Sequence, residues 1–288
     1  MSPAGSSTLT VLGVPEPAGR GTSDGTGVLV DRLRRAGCVF AEDEAAVLLA
    51  AAADPVQREA WTRRRLAGEP LEVVVGRVRL NGLDLAVGPG VFVPRQRTAV
   101  LARLAAGALV EVAAGRDRPG VLVEACCGVA PVAALVARAV PRAEVHAADS
   151  CPAARRLARQ NLPASAGVHG GDLLDALPPH LRGRVDVVAA VPPCTPAGQG
   201  HLLPPEARDH EPPAALFGGV DGLDVVRALL RSAGPWLAPS GRLLLEVGRP
   251  QLDAVARLAE RVGASVVLHR DDQSSVAEVR GLGGPRGR

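Results

Sequence analysis

The sequence DVVAAVPPCTP, residues 186–196, decides the fold of the second half of the chain. Its apolar run is typical of a strand buried on both faces, and Pro192 and Pro193 end that strand at a rigid loop. In an open parallel sheet, ligands bind at the carboxyl ends of such strands. We therefore expect a binding site at the residues that follow this strand, from Val191 to Cys194.

The sequence around this strand alternates between strand and helix patterns from Gly120 onward, which predicts a mainly parallel sheet with helices on both faces. Such a sheet suits a nucleotide-type ligand at the switch point between its first and fourth strands. The seven predicted strands, the last of them antiparallel, are residues 121–125, 144–149, 168–172, 185–191, 241–248, 264–270 and 274–281.

The first part of the chain divides into three further segments. Residues 1–27 are rich in Gly, Ser, Thr and Pro without periodicity, which predicts a disordered leader. Residues 28–70 show three short helical patterns, either a unit that docks a substrate or plain scaffold. Residues 71–115 predict a hairpin of LEVVVGRVRL and LDLAVGPGVFV around the turn signal Asn81-Gly82, then a connecting helix. Residues 116–288 form the sheet domain, and we interpret Arg116 and Arg118 at its start as solvated linker residues.

Composition and charge exclude several classes of protein. A net charge of +3 is too small to argue for nucleic acid, and no Tyr, three Phe and two Trp offer little for stacking a flipped base. No apolar run reaches the roughly 18 residues of a membrane helix, and no signal-peptide pattern opens the chain. We expect a cytoplasmic protein with reduced thiols, because the five cysteines are odd in number and form no C-x-x-C pair. They are Cys38, Cys126, Cys127, Cys151 and Cys194.

Acidic residues at successive strand ends predict the ligand. EACCGVA follows the first strand as a tight turn that brings backbone N–H groups toward a ligand, although a plain turn is the alternative. Asp149 ends the second strand, where a carboxylate can accept hydrogen bonds from ribose hydroxyls or cap the next helix. Asp172 ends the third strand and is either an adenine contact or a turn residue. Together with Glu124 they favour an adenosine ligand. The loop lacks the third glycine of the G-x-G-x-x-G motif, which argues against a dinucleotide.

These segments resemble the class I S-adenosylmethionine methyltransferases. Within them, the chain is similar to the HemK-type glutamine N5-methyltransferases of peptide-chain release factors over roughly residues 28–285, and its CCG loop is similar to that of actinobacterial members. The resemblance rests on EACCG with Asp149 and Asp172, and on GEPLEVVVG (68–76), GVFVPRQRT (90–98), HEPPAALFGGVDGLDVVR (210–227) and GRLLLEVG (241–248).

The resemblance implies a seven-stranded Rossmann-like α/β domain, an N-terminal helical domain and a β-hairpin linker. It further implies a monomer without a metal that methylates a glutamine in the GGQ loop of a release factor. S-adenosyl-L-methionine would be bound by Glu124, Cys126, Gly128, Asp149, Asp172 and Val191. The catalytic positions it implies are the substrate clamp Val191, Pro192, Pro193 and Cys194, together with Glu211.

The clamp departs from the family pattern. The family has Asn-Pro-Pro-Tyr, whose asparagine and proline carbonyl hold the substrate amide, whereas this chain has Val191 and Cys194 at the outer positions. Upstream, it has Arg97-Thr98-Ala99 where the family has an acidic pair. Valine neither donates nor accepts a hydrogen bond, so three hypotheses follow: the family activity, a degenerate protein that still binds the cofactor, or a methyltransferase with a changed acceptor.

Other polar residues are candidates for holding a changed acceptor. They are Arg95, Thr195, Gln199 and Glu211, although an ion pair with an arginine is the alternative for Glu211. Cys194 is interpreted as a small replacement for tyrosine rather than as a nucleophile, since no histidine is placed by sequence to activate it. His201 and His210 flank a Pro-rich loop, where packing and catalysis are equally compatible with the sequence.

Overall fold

The computed structural model describes residues 24–270, 272 and 274–283. Three helices open it: α1 (Asp24–Arg35), α2 (Ala41–Ala51) and α3 (Pro55–Leu66). Their apolar faces bury Leu33, Ala45 and Leu48 completely in a small core of their own. Most of the predicted leader, residues 1–23, lies outside the described residues. The first helix begins four residues before the predicted boundary at 28.

The segment after α3 contains one wrong prediction and one confirmed one. Leu71–Val75 forms a short helix, α4, rather than the start of a strand. Gly76 ends this helix in the left-handed conformation, and the helix buries Leu71 and Val74 against α1–α3. The hairpin itself is confirmed but shorter, with β1 (Arg77–Leu80) and β2 (Leu83–Ala86) paired antiparallel around Asn81-Gly82.

Helix α5 (Thr98–Ala113) leads into the sheet, whose strand order is β5-β4-β3-β6-β7-β9-β8. All neighbours up to β7 pair in parallel, and β9 is antiparallel to both β7 and β8, as predicted for the last strand. The strands are β3 (Val121–Ala125), β4 (Glu144–Asp149), β5 (Gly167–Gly170), β6 (Val185–Ala190), β7 (Leu237–Glu246), β8 (Ser265–Arg270) and β9 (Ser275–Arg280).

The connecting helices cover both faces of the sheet, and each face has its own apolar core. Helices α5, α6 and α7 pack on one face and α10 and α11 on the other, while two short helices lie in the long loop after β6. The bounds are α6 (Pro131–Ala139), α7 (Pro152–Asn161), α8 (Pro205–His210), α9 (Pro213–Leu216), α10 (Asp224–Ser232) and α11 (Leu252–Arg261). None of the helices among the described residues has the length and apolar character that crossing a bilayer requires.

The interpretation of Arg116 and Arg118 as solvated linker residues is wrong. Both guanidinium groups bind Asp186, a fully buried carboxylate at the start of β6, at Nη1–Oδ distances of 2.5 Å and 2.8 Å. The same carboxylate accepts a hydrogen bond from the backbone N–H of Val121 at 2.9 Å. This cluster therefore attaches the linker to the end of the sheet opposite the carboxyl ends of β3 and β6.

Candidate active site

One cavity of about 750 Å³ lies at the carboxyl ends of β3, β4 and β6, within the size range of small-molecule sites. The residues that were predicted to bind the cofactor, the four residues of the clamp and Glu211 all line it. Further lining comes from α4, from residues 90–98 and from α8. The chain thus brings together in one cavity the two halves that the sequence analysis assigned to a cofactor and to its acceptor. The individual roles of these residues stay predictions.

The loop after β3 has the tight backbone that its sequence predicted. Cys126, Gly128 and Ala130 have positive φ angles of 51°, 54° and 62°. This conformation is strained for any residue other than glycine, so holding Cys126 and Ala130 in it lowers the stability of the fold. The loop lies directly before α6, which begins at Pro131.

Glu124 bonds the first turn of the helix that follows this loop. Its carboxylate accepts hydrogen bonds from the backbone N–H groups of Val132 and Ala133, at 3.2 Å and 2.7 Å. The side chain is almost fully buried, and this burial raises the pKa of Glu124 to about 8. Because its carboxyl group is buried and bonds two N–H groups of α6, Glu124 fits a role in holding the loop and the helix together better than the predicted direct contact with the cofactor.

The residues around Asp149 fit an adenosine group. One Asp149 oxygen accepts a hydrogen bond from the Gly128 N–H and the other from the Cys151 N–H, both at 2.8 Å. Each carboxylate oxygen has two lone pairs, so one on each remains for a vicinal diol. Asp149 does not cap α7, which was the alternative to ribose binding. Cys151 is the residue directly before α7, and the Asp149 side chain accepts from the N–H of Cys151 rather than from an N–H of the helix. Asp172 also lines the cavity, two residues beyond the end of β5 rather than within the strand as predicted.

The acceptor half begins where β6 ends, and its backbone is tightly held. Thr195 donates its N–H to the carbonyl of Leu216 at 2.9 Å, and the Cys194 carbonyl accepts from Gln251 Nε2 at 2.8 Å. A Cβ atom on Gly218 or Gly222 would lie within 2.3 Å of a carbonyl oxygen of Pro193 or Cys194. The glycines of the FGGVDG sequence are therefore what allows the loop to pack against the clamp.

The side chains of the clamp offer no hydrogen bonds that could hold an amide. Val191, Pro192 and Pro193 are apolar, and burial raises the pKa of the Cys194 thiol. Among the described residues, no histidine lines the cavity, and both His201 and His210 are exposed in the loop outside it. These observations fit Cys194 as a small cavity-lining residue rather than a nucleophile.

Glu211 and Arg95 form an ion pair. Arg95 Nη2 donates to both carboxylate oxygens of Glu211, at 2.7 Å and 2.9 Å, and the arginine also lies 4.7 Å above the ring of Phe92. Burial raises the pKa of Glu211 in spite of this partner. Gln199 does not line the cavity, whereas Thr195 does, although its backbone groups are engaged.

Three acidic residues near the acceptor half were missed by the sequence analysis. Glu72 of α4 and Glu206 of α8 line the cavity, and Glu246 at the end of β7 pairs with Arg97 at a Nε–Oε1 distance of 2.8 Å. The strand-end position of Glu246 was a signal that could have found it. Glu72 and Glu206 carry no such signal, because they come from a short helix and a loop that only the tertiary fold brings to the cavity.

The sheet, with its antiparallel β9 between β7 and β8, and the acidic strand ends along one cavity define a Rossmann-like class I methyltransferase fold. A scan against family models finds no match. The chain is 39% identical over 214 residues, 73% of each chain, to a 4-amino-L-phenylalanine/4-methylamino-L-phenylalanine methyltransferase of Streptomyces pristinaespiralis. It is 38% identical over 210 residues, 70% of each chain, to the release factor glutamine methyltransferase of Moorella thermoacetica.

A second release factor glutamine methyltransferase, from Streptomyces coelicolor, is 41% identical over 184 residues, 64% of each chain. The chain therefore belongs to the HemK-type glutamine methyltransferase family, as its motifs predicted. Membership in this family also confirms the predicted class, a methyltransferase that depends on S-adenosyl-L-methionine. One solved structure of similar fold is the Thermus thermophilus 16S rRNA methyltransferase with AdoMet and guanosine, at a TM-score of 0.49 and 20% identity, covering 71% of this chain and 49% of that one.

Proposed function

We propose that this methyltransferase acts on the nitrogen of an amine, in particular of an arylamine, rather than on a side-chain amide. The observation that carries the proposal is the clamp, where apolar Val191 stands at the position at which the family has asparagine. The proposal develops the changed-acceptor hypothesis. Glutamine N5-methylation of a release factor is the second candidate.

The chemistry of the two acceptors differs in what it asks of the protein. An amide nitrogen shares its lone pair with the carbonyl, so the family's clamp must hold the amide in one orientation. An arylamine is uncharged at neutral pH and keeps a more available lone pair, so it reacts once it is placed and oriented. S-adenosyl-L-methionine, when bound, supplies an electrophilic methyl group. The clamp then needs to supply shape rather than hydrogen bonds.

The walls of the cavity suit a flat apolar acceptor. Val191, Pro192 and Pro193 form a rigid apolar surface, and Phe92 lies in the same cavity under the guanidinium of Arg95. Aromatic and apolar walls with few polar groups are typical of small-molecule sites, and they provide stacking surfaces for a ring. The Streptomyces pristinaespiralis relative is named for methylating 4-amino-L-phenylalanine, which belongs to this chemical class.

Sequence identity to release factor glutamine methyltransferases supports the release-factor candidate, whereas the clamp does not. The relatives from Streptomyces coelicolor and Moorella thermoacetica are named for that activity. Without the asparagine, an amide bound at Val191 would leave groups unpaired, at a cost of about 1–3 kcal/mol for each group. That cost argues against efficient glutamine methylation by this chain.

The test separates binding, acceptor choice and inactivity. S-adenosyl-L-methionine is first titrated by calorimetry, and methyl transfer is then assayed separately to 4-amino-L-phenylalanine and to a release factor that carries its GGQ loop. Transfer to the arylamine is the expected result. Transfer to the release factor alone contradicts the proposal in favour of the second candidate, and cofactor binding without transfer to either acceptor favours the degenerate hypothesis.

A further inference from the structure

Arg65 connects the N-terminal helices to the wall of the cavity. Its side chain, only 6% exposed, reaches from α3 to two carboxylates. One belongs to Glu44 of α2, at an Nε–Oε2 distance of 2.6 Å, and the other to Glu206 of α8, at an Nη2–Oε1 distance of 2.5 Å. A further bond runs from Nη1 to the carbonyl of Glu69 at 3.2 Å. One guanidinium thus links α2, α3 and α8.

The Arg65–Glu206 bond is not needed to neutralise the buried arginine. Glu44, at 8% exposure, already gives Arg65 a buried partner with two hydrogen bonds. Glu206 is different, because its side chain is 43% exposed and lines the cavity. The planar fork of an arginine can hold both carboxylates in fixed directions, which a lysine cannot do. The second bond therefore fixes a group of the cavity wall.

Helix α8 is short and is bonded to other parts of the fold at both ends. It has six residues and lies between proline-rich segments, too short to be stable by its own hydrogen bonds. Side-chain ion pairs hold it at both ends: Glu206 in its first turn binds Arg65, and Glu211 immediately after it binds Arg95. Ala207 is its buried residue. The position of α8 in the cavity wall thus depends on these two pairs.

We infer that Arg65 is a positioning residue for the acceptor, which it serves by holding Glu206 and α8 in the wall of the cavity. The inference rests on the proposed function in that the cavity receives an acceptor. It assigns the N-terminal helices a part in acceptor binding that does not require them to touch the acceptor. It also makes the Glu206 carboxylate a determinant of which acceptors fit.

The test uses the full chain with Glu206→Gln, which leaves the buried Glu44–Arg65 pair intact, and with Arg65→Lys. Arg63→Met is the matched control, because Arg63 is on the same helix but 71% exposed and directed to Glu59. Amide hydrogen exchange of residues 206–211 is measured for each variant. The KM for 4-amino-L-phenylalanine, or for the release factor if the wild type methylates only that, is measured beside the Kd for S-adenosyl-L-methionine.

We expect exchange at residues 206–211 to become about tenfold faster in Glu206→Gln and Arg65→Lys, with a similar rise in acceptor KM and an unchanged cofactor Kd. Arg63→Met should match the wild type in all three. A KM and an exchange rate within twofold of the wild type in both variants would overturn the inference. If the wild type methylates neither probe, the proposed function fails, and the exchange rates alone decide: faster exchange supports the role of Arg65 in holding α8, and unchanged exchange overturns it.

Discussion

Replacement of Val191 by asparagine should move the activity of the chain toward glutamine. Val191 follows directly after β6, whose last residue Ala190 pairs with Ala125 of β3 and Leu245 of β7, so its backbone is fixed at the edge of the sheet. The hydrogen bonds that hold Cys194 and Thr195 involve backbone atoms and do not depend on the side chain at 191. An asparagine side chain would therefore project into the cavity from an unchanged position.

The size of the effect follows from the bonds gained. An asparagine side chain can offer a substrate amide one or two hydrogen bonds, each with a net value of about 0.5–1.5 kcal/mol. Two such bonds sum to about 2 kcal/mol, which corresponds to about a 30-fold gain in kcat/KM for a release-factor glutamine. The stability cost should be small, because Val191 is only partly buried.

The assay is mass spectrometry of a release factor after incubation with S-adenosyl-L-methionine and each variant. Val191→Leu is the matched control, since leucine has nearly the shape of asparagine without its polar atoms. We expect Val191→Asn to methylate the glutamine at least about tenfold faster than Val191→Leu. Equal rates for the two variants would refute the conclusion that the missing amide at position 191 limits glutamine methylation.

Three further predictions concern the cluster behind the sheet and the cofactor half. Asp186→Asn should lower the free energy of unfolding by about 2 kcal/mol, since it weakens two partly exposed arginine contacts, and should lower Tm by about 4–8 °C in a thermal melt. Glu124 keeps its proton in the folded state up to a pH of about 8, while the unfolded chain releases it near the ordinary value of 4.5. Stability should therefore fall as pH rises between these values, by up to about 1.4 kcal/mol per pH unit, and Glu124→Gln should remove this slope in melts across the range. Asp149→Ala should raise the Kd for S-adenosyl-L-methionine about 100-fold in calorimetry, and an unchanged Kd would contradict the assignment of Asp149 to the cofactor.

The sheet could be predicted from the sequence because local patterns determine it. The runs VLVEA and EVHAAD are short and bounded by turns, and the observed strands β3 and β4 coincide with them. The strand predicted over Leu71–Val75 is wrong for the same reason, because an apolar run rich in valine locally indicates a strand. Its helical form depends on packing against α1–α3, which is not a local property.

The site could be predicted in part, because strand ends mark one edge of a parallel sheet. That rule found Asp149 and the clamp at Val191, both of which line the cavity. It could not find pairs distant in sequence. Arg65 and Glu206 are 141 positions apart, and Arg97 and Glu246 are 149 apart. Charged residues that look solvated in sequence acquire their partners only through the tertiary fold.

Direct competition between the two candidate acceptors tests the central claim most directly. The wild-type chain is incubated with S-adenosyl-L-methionine, 4-amino-L-phenylalanine and a release factor carrying its GGQ loop, each acceptor at the same concentration, and the methylated products are quantified by mass spectrometry. The apolar clamp predicts N-methylated arylamine in at least about tenfold excess over methylated glutamine. Methylated glutamine in excess would contradict the claim that Val191 has changed the acceptor.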